Sequence, residues 1–133
     1  MSVLKRFALF AAILTLSFPV LADERVLTGA EILERFAGAV AYGYDLDPKR
    51  RMRVEVAKNG KIYLLYDYDS PQPVLIKGTW QVKGDLWCRV VKSRWQLPSD
   101  KCQTVVEEGG AIYFVDEDGS RQSRFRLKDI RKR

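Results

Sequence analysis

The chain has 133 residues, 23 Lys and Arg against 17 Asp and Glu, a formal charge of +6, two cysteines and no histidine. That length fits one domain with a single modest core. The absence of histidine excludes serine–histidine and cysteine–histidine catalysis and the commonest zinc sites.

The first residues have the three parts of an export signal. Lys5 and Arg6 form a positive start, Phe7 to Leu16 is an apolar run, and Ser17, Phe18 and Pro19 break it. Val20-Leu21-Ala22 then places small residues three and one before a cut ahead of Asp23. The apolar run is about half the ~20 residues that span a bilayer, so a cleaved signal is expected rather than an anchor. Lys5-Arg6 is not a twin arginine, and no cysteine follows the cut to take a lipid. The expectation is a periplasmic protein, cleaved after Ala22, with no transmembrane segment afterwards. Losing Lys5 and Arg6 leaves 21 basic and 17 acidic residues, or +4.

Cys88 and Cys102 both fall in the mature part. In an oxidising compartment an even pair reads as a disulfide, and closing a ~15-residue loop contributes about 3 kcal/mol in the chain-entropy model. A metal pair or redox dithiol would call for C-x-x-C spacing or histidine partners. The expected organisation is a signal peptide at 1–22, one disulfide-pinned β-rich domain at 23–127 and a basic C-terminal tail at 128–133.

In chain order, the first element is a helix over Gly29 to Ala37. Thr28 and Glu31 make a capping box, Leu27 and Ile32 a hydrophobic staple, and Gly38 a stop. Everything afterwards alternates with period two between turn residues. Strands are expected at Val40–Tyr44, Arg51–Ala57, Lys61–Tyr68, Val74–Val82, Leu86–Arg94, Cys102–Glu107, Ala111–Asp116 and Gln122–Leu127. Short connections favour an antiparallel meander. The fold class is therefore mainly β: an N-terminal helix plus about seven or eight antiparallel strands, as a strongly curved sheet or small barrel with the helix plugging one end.

Two registers are specific enough to test. A three-residue loop, Lys58-Asn59-Gly60, sets Val56 opposite Ile62, Val54 opposite Leu64 and Met52 opposite Tyr66; a two-residue turn would mix the faces. In the next hairpin Val74, Ile76, Gly78, Trp80 and Val82 share one face, with Leu86, Cys88 and Val90 facing them. Cys88 is then expected in the core beside Trp80, and Gly78 beneath an indole. The expected core is Ile32, Leu33, Phe36, Val54, Val56, Ile62, Leu64, Ile76, Trp80, Val82, Leu86, Val90, Val106, Ile112, Phe114, Phe125 and Leu127.

No catalytic constellation emerges. Asp45 and Asp47, Asp67 and Asp69, and Asp116-Glu117-Asp118-Gly119 are carboxylate groups, but the last lacks the later ligands of a calcium loop and reads as a turn. Glycosidase chemistry needs two carboxyls facing across a cleft, which no pattern here supplies. Contact features are easier to name. Arg94, Trp95 and Leu97 lie in the connection enclosed by the cysteines, where a tryptophan among basic residues fits a contact anchor; the plain alternative is a ring folded back over the disulfide.

From Arg121 to Arg133 there are seven basic residues against Asp129 alone. Arg131, Lys132 and Arg133 end this run, which fits phosphate-bearing partners such as lipid headgroups or lipopolysaccharide. The plain alternative is a solvated tail. Export disfavours nucleic acid. The expected function is a non-enzymatic binding or interaction domain without cofactor, its partner an envelope protein or anionic envelope component. A small-ligand carrier with a barrel cavity is the first alternative, and an enzyme using carboxylates the second.

One set of motifs has a counterpart. Leu27-Thr28-Gly29-Ala30-Glu31-Ile32 opens the mature chain. Gly78-Thr79-Trp80 and Gly84-Asp85-Leu86-Trp87-Cys88 follow, then Cys102 and Ala111-Ile112-Tyr113-Phe114-Val115 before Gly119. The set resembles a family of short secreted proteobacterial proteins of unknown function with an L-T-G-x-E-I helix start, a G-x-W strand and a cysteine-bridged strand pair. The resemblance covers most of residues 27–127. It implies the compartment, the bridge and the β-rich fold, and it implies no activity.

Overall fold

A computed structural model describes residue 13 and residues 23–92 and 99–133. A short strand β1 (Arg25–Val26) leads into helix α1 (Gly29–Phe36). Eight longer strands follow: β2 (Ala39–Leu46), β3 (Lys49–Val56), β4 (Lys61–Tyr66), β5 (Val74–Lys83), β6 (Leu86–Lys92), β7 (Ser99–Glu108), β8 (Ala111–Val115) and β9 (Arg121–Lys132). Each pairs antiparallel with the next, and β9 returns to β2, so the eight close into an up-and-down barrel. β1 occupies the edge of β7 beyond the last residue that β6 pairs, with Arg25 opposite Glu107 and Val26 opposite Val106.

The helix starts as its sequence dictates. Thr28 Oγ1 accepts from the Glu31 amide at 3.2 Å and the Glu31 carboxylate accepts from the Thr28 amide at 3.2 Å. The arginine of β1, Arg25, also bonds Glu31, and with the Thr28 amide it holds that carboxyl below its usual range. α1 then crosses one mouth of the barrel. At its start the Gly29 amide donates to Asp85 Oδ1 at 2.7 Å, in the β5–β6 turn. A Cβ on Gly29 would fall 2.0 Å from the Gly84 carbonyl oxygen, so only glycine lets the two backbones meet. At its far end the Gly38 amide donates to the Val56 carbonyl at 2.8 Å. Ile32 and Phe36 enter the core, where Phe36 meets Trp87 and Phe114 with ring centroids 6.0 and 5.4 Å apart. Leu33, expected inside, is exposed.

The first tested register is as expected. Val56 pairs with Ile62, Val54 with Leu64 and Met52 with Tyr66, and Gly60 closes the loop at φ +89. The second is corrected by one residue. Gly84 and Asp85 form a two-residue turn that sets Lys83 opposite Leu86 and Val82 opposite Trp87. Every side chain of β6 therefore changes face. Trp87, Arg89 and Val91 point inward, and Trp87 stacks on Trp80 at 5.2 Å between centroids. Leu86 is exposed and Cys88 lies on the outer face, buried and bonded to its direct cross-strand partner Cys102. Gly78 makes room not for an indole but for the neighbouring strand: a Cβ there would lie 2.2 Å from the Val90 carbonyl oxygen.

Inside, Val54, Ile62, Leu64, Trp87, Phe114 and Phe125 fill the barrel, as eight strands leave room for little else. Among the described residues a gap of about 30 Å³ remains between them. The basic C-terminal segment is no tail. Residues 130–132 pair with β2 after an irregularity between Ala41 and Gly43, and they complete the closure. Lys132 Nζ donates to the Ala37 carbonyl at 2.6 Å at the end of α1, where a cation meets the helix dipole favourably. Arg133 bonds Glu55 at 3.1 Å.

Candidate functional site

The barrel has two broad outer walls, and both are basic. One consists of β8, β9, β2 and β3. Alternation puts Tyr113, Arg124, Tyr44 and Arg51 on its outside, and the register makes each the direct partner of the next. Here nearly every cation is answered. Arg124 Nε donates to the Tyr113 hydroxyl at 3.1 Å, and Arg121 lies 4.1 Å over the Tyr113 ring while bonding Glu108. Arg51 bonds Asp69 and, at 3.0 Å, the Tyr68 hydroxyl. Arg50 meets Asp67 at 3.1 Å and Arg126 meets Asp129 at 2.8 Å. Lys49 sits 5.0 Å over the Tyr44 ring. These contacts bind the wall to itself and to the connection that follows β4.

The opposite wall, β4, β5 and β6, is different. Tyr63 pairs with Lys77, and Lys77 pairs with Lys92. Lys61 stands on the same face of β4, two residues from Tyr63 and opposite Thr79. With Val90 these residues line a surface depression of about 420 Å³. Two ammonium groups directly opposite one another on a sheet repel. No Asp or Glu lies within 4.0 Å of Lys61, Lys77 or Lys92 among the described residues. The remaining residues of the chain contain no Asp or Glu at all. The lysines thus form no ion pair among the described residues, the nearest acids on this face being Asp100 opposite Val90 and Glu55 opposite Tyr63. Their flexible stems bring several N–H donors to one place while staying hydrated, a chemistry that suits phosphate oxygens.

Of the contact residues expected from sequence, the structure describes only those at the C-terminus. Arg94, Trp95 and Leu97 lie outside the described residues, in the connection that leaves β6 immediately after Lys92. Arg131, Lys132 and Arg133 belong to the other wall and the helix-covered end; Lys132 and Arg133 are engaged in holding α1 and β3 to the barrel. The acidic groups are engaged as well. Asp116-Glu117-Asp118-Gly119 forms the β8–β9 turn, with the Gly119 amide donating to the Asp116 carbonyl at 2.9 Å. Asp45 accepts from Ser123 at 3.1 Å.

Sequence reasoning missed Lys61, Tyr63, Lys77 and Lys92 as a group. Their signal was present as outward positions of three strands, but the misjudged β5–β6 register put Lys77 and Lys92 on opposite faces. No family model matches this chain, and no curated protein or solved structure matches it.

Proposed function

We propose that this chain is an exported, non-enzymatic contact module that holds a phosphate-bearing component of the cell envelope on its lysine wall. The carrying observation is the Lys77–Lys92 pair, directly opposed and with no carboxylate within 4.0 Å among the described residues, although Asp100, the partner of Val90, stands on the same face. A pair that costs stability in the free protein is relieved when an anion bridges it. The tryptophan-bearing connection continues from Lys92, so the aromatic anchor expected from sequence is contiguous in the chain with this wall. Export rests on the Lys5-Arg6, Phe7–Leu16 and Val20-Leu21-Ala22 pattern, and the bonded cysteine pair is consistent with an oxidising compartment.

The filled interior favours contact over carriage. A gap of about 30 Å³ is far below the ~300–1,000 Å³ of a small-molecule pocket. Among the described residues no helix is long and apolar enough to cross a membrane. The test is co-sedimentation of the mature protein with lipopolysaccharide and with phosphatidylcholine vesicles. Binding to the former that weakens as salt rises, with none to the latter, is the expected result. Equal binding to both would overturn the reading. Fractionation should recover the protein from the periplasm with an amino terminus at Asp23; recovery from the cytoplasm alone, starting at Met1, would contradict export.

A further inference from the structure

The lysine wall has an apolar border. Alternation on β4 and β5 puts Leu65 and Leu75 on the same outer face as Tyr63 and Lys77. The register makes the two leucines direct partners, two residues along from the Tyr63–Lys77 pair. Leu75 is 53% exposed, and Val74 beside it at the start of β5 is 46% exposed, so about half of each side chain is left in water. Ser70 to Ile76 holds no charged residue, and this uncharged stretch leads from the β4–β5 connection onto the wall. The nearest acids leave the border clear. Glu55 is held by Arg53 and Arg133 at 3.5 and 3.1 Å, and Asp100 stands on β7, two strands from Leu75.

Adjoining exposed aliphatic side chains rimmed by charge mark a contact surface. The lysines decide which contact it is. Protein–protein interfaces are depleted in lysine and enriched in arginine. At a lipid surface the preference differs: a lysine stem lies along apolar material while its ammonium group stays among the headgroups. Each lysine near an anionic bilayer strengthens association about fivefold. Lys77, Lys92 and Lys61 supply that attraction, and the leucine pair beside them supplies apolar area to bury.

We infer that this face docks on an anionic lipid bilayer. The lysines meet headgroup phosphates, and Leu75, flanked by Leu65 and Val74, enters the boundary between headgroups and acyl chains. The inference rests on the lysine wall being an anion-contact face and deepens it, because the phosphate then belongs to an assembled lipid and not to a solute.

The experiment measures partition of the mature, disulfide-bonded protein onto vesicles of phosphatidylglycerol and phosphatidylcholine in equal parts. Leu75→Gln should weaken partition about three- to tenfold, through the apolar area it removes. Leu33→Gln alters an exposed leucine on α1 instead and should change it less than about twofold. In a Trp95→Phe background, vesicles with brominated acyl chains should quench the tryptophan introduced by Leu75→Trp. Glycerol phosphate at the same phosphate concentration should not displace the protein. Unchanged partition of Leu75→Gln, an equal loss from Leu33→Gln, absence of quenching, or displacement by glycerol phosphate each overturns the inference. Binding to lipopolysaccharide without partition onto these vesicles overturns it as well, and in all these cases the lysine wall survives as a contact face. Failure to bind either lipopolysaccharide or the vesicles brings down the lysine wall and this inference together.

Discussion

The two walls of this barrel carry the same sign of charge and dispose of it in opposite ways. On β8, β9, β2 and β3 the cations are mostly arginines, set against tyrosine rings and carboxylates within the chain. On β4, β5 and β6 they are lysines, two of them face to face, with no ion pair to an acid among the described residues. Arginine's planar fork is suited to fixed intramolecular partners, whereas a lysine kept clear of carboxylates keeps its donors for something outside. The difference teaches that net charge is a poor guide to a binding surface. What distinguishes the walls is compensation.

Breaking the bridge within the lysine wall's half of the barrel should have the largest effect on stability. Replacing Cys88 and Cys102 together by serine releases the link between β6 and β7, and the denaturation free energy should fall by about 3 kcal/mol. Lipopolysaccharide binding by the folded fraction should persist, because neither cysteine is among the lysine-face residues. Urea titration checks the first statement, and a loss below roughly 1 kcal/mol would show that strand pairing alone sets this region.

A smaller loss is expected on the arginine wall. Arg121 combines the Tyr113 ring with Glu108 and Glu24. Arg121→Ala should therefore cost about 1 kcal/mol, as partly exposed cation–π and ion pairs do. Chemical denaturation at two salt concentrations would resolve it, with the larger loss at low salt.

The lysine wall should respond with the opposite sign. Lys77→Gln removes one half of the opposed pair. It should raise stability by about 0.2–1 kcal/mol at low ionic strength, and the gain should vanish as salt screens the repulsion. Thermal unfolding measured across a salt series would show this. Destabilisation of similar size would mean that Lys77 has an intramolecular role.

Much of the fold was legible because local rules decided it. Thr28 with Glu31 dictated the helix start, and only one loop length segregated Val54, Val56, Ile62 and Leu64 from the charged residues facing out. The β5–β6 turn was less legible. β5 alternates cleanly, but β6 has apolar residues on both faces, so Cys88 and Val90 competed with Trp87 and Val91 for the interior and periodicity had nothing to choose by. The structure settles it through the two-residue Gly84-Asp85 turn and the Trp87–Trp80 stack. That one-residue slip also hid the site, because Lys92 meets Lys77 only in the correct register. The tyrosine–arginine rows were hidden for another reason. Tyr44 and Arg124 are neighbours only because β9 closes on β2, a pairing between strands far apart in the chain that no local pattern signals.

The most direct measurement reverses one charge on each wall and compares lipopolysaccharide affinity. Lys77→Glu and Arg51→Glu change the net charge equally, and both positions are on the surface. Lys77→Glu should weaken binding about tenfold or more, as loss of a charge-assisted contact does, while Arg51→Glu changes it less than about twofold, the effect of net charge alone. Equal losses from the two variants, or a greater loss from Arg51→Glu, would contradict the assignment of the lysine wall as the contact face.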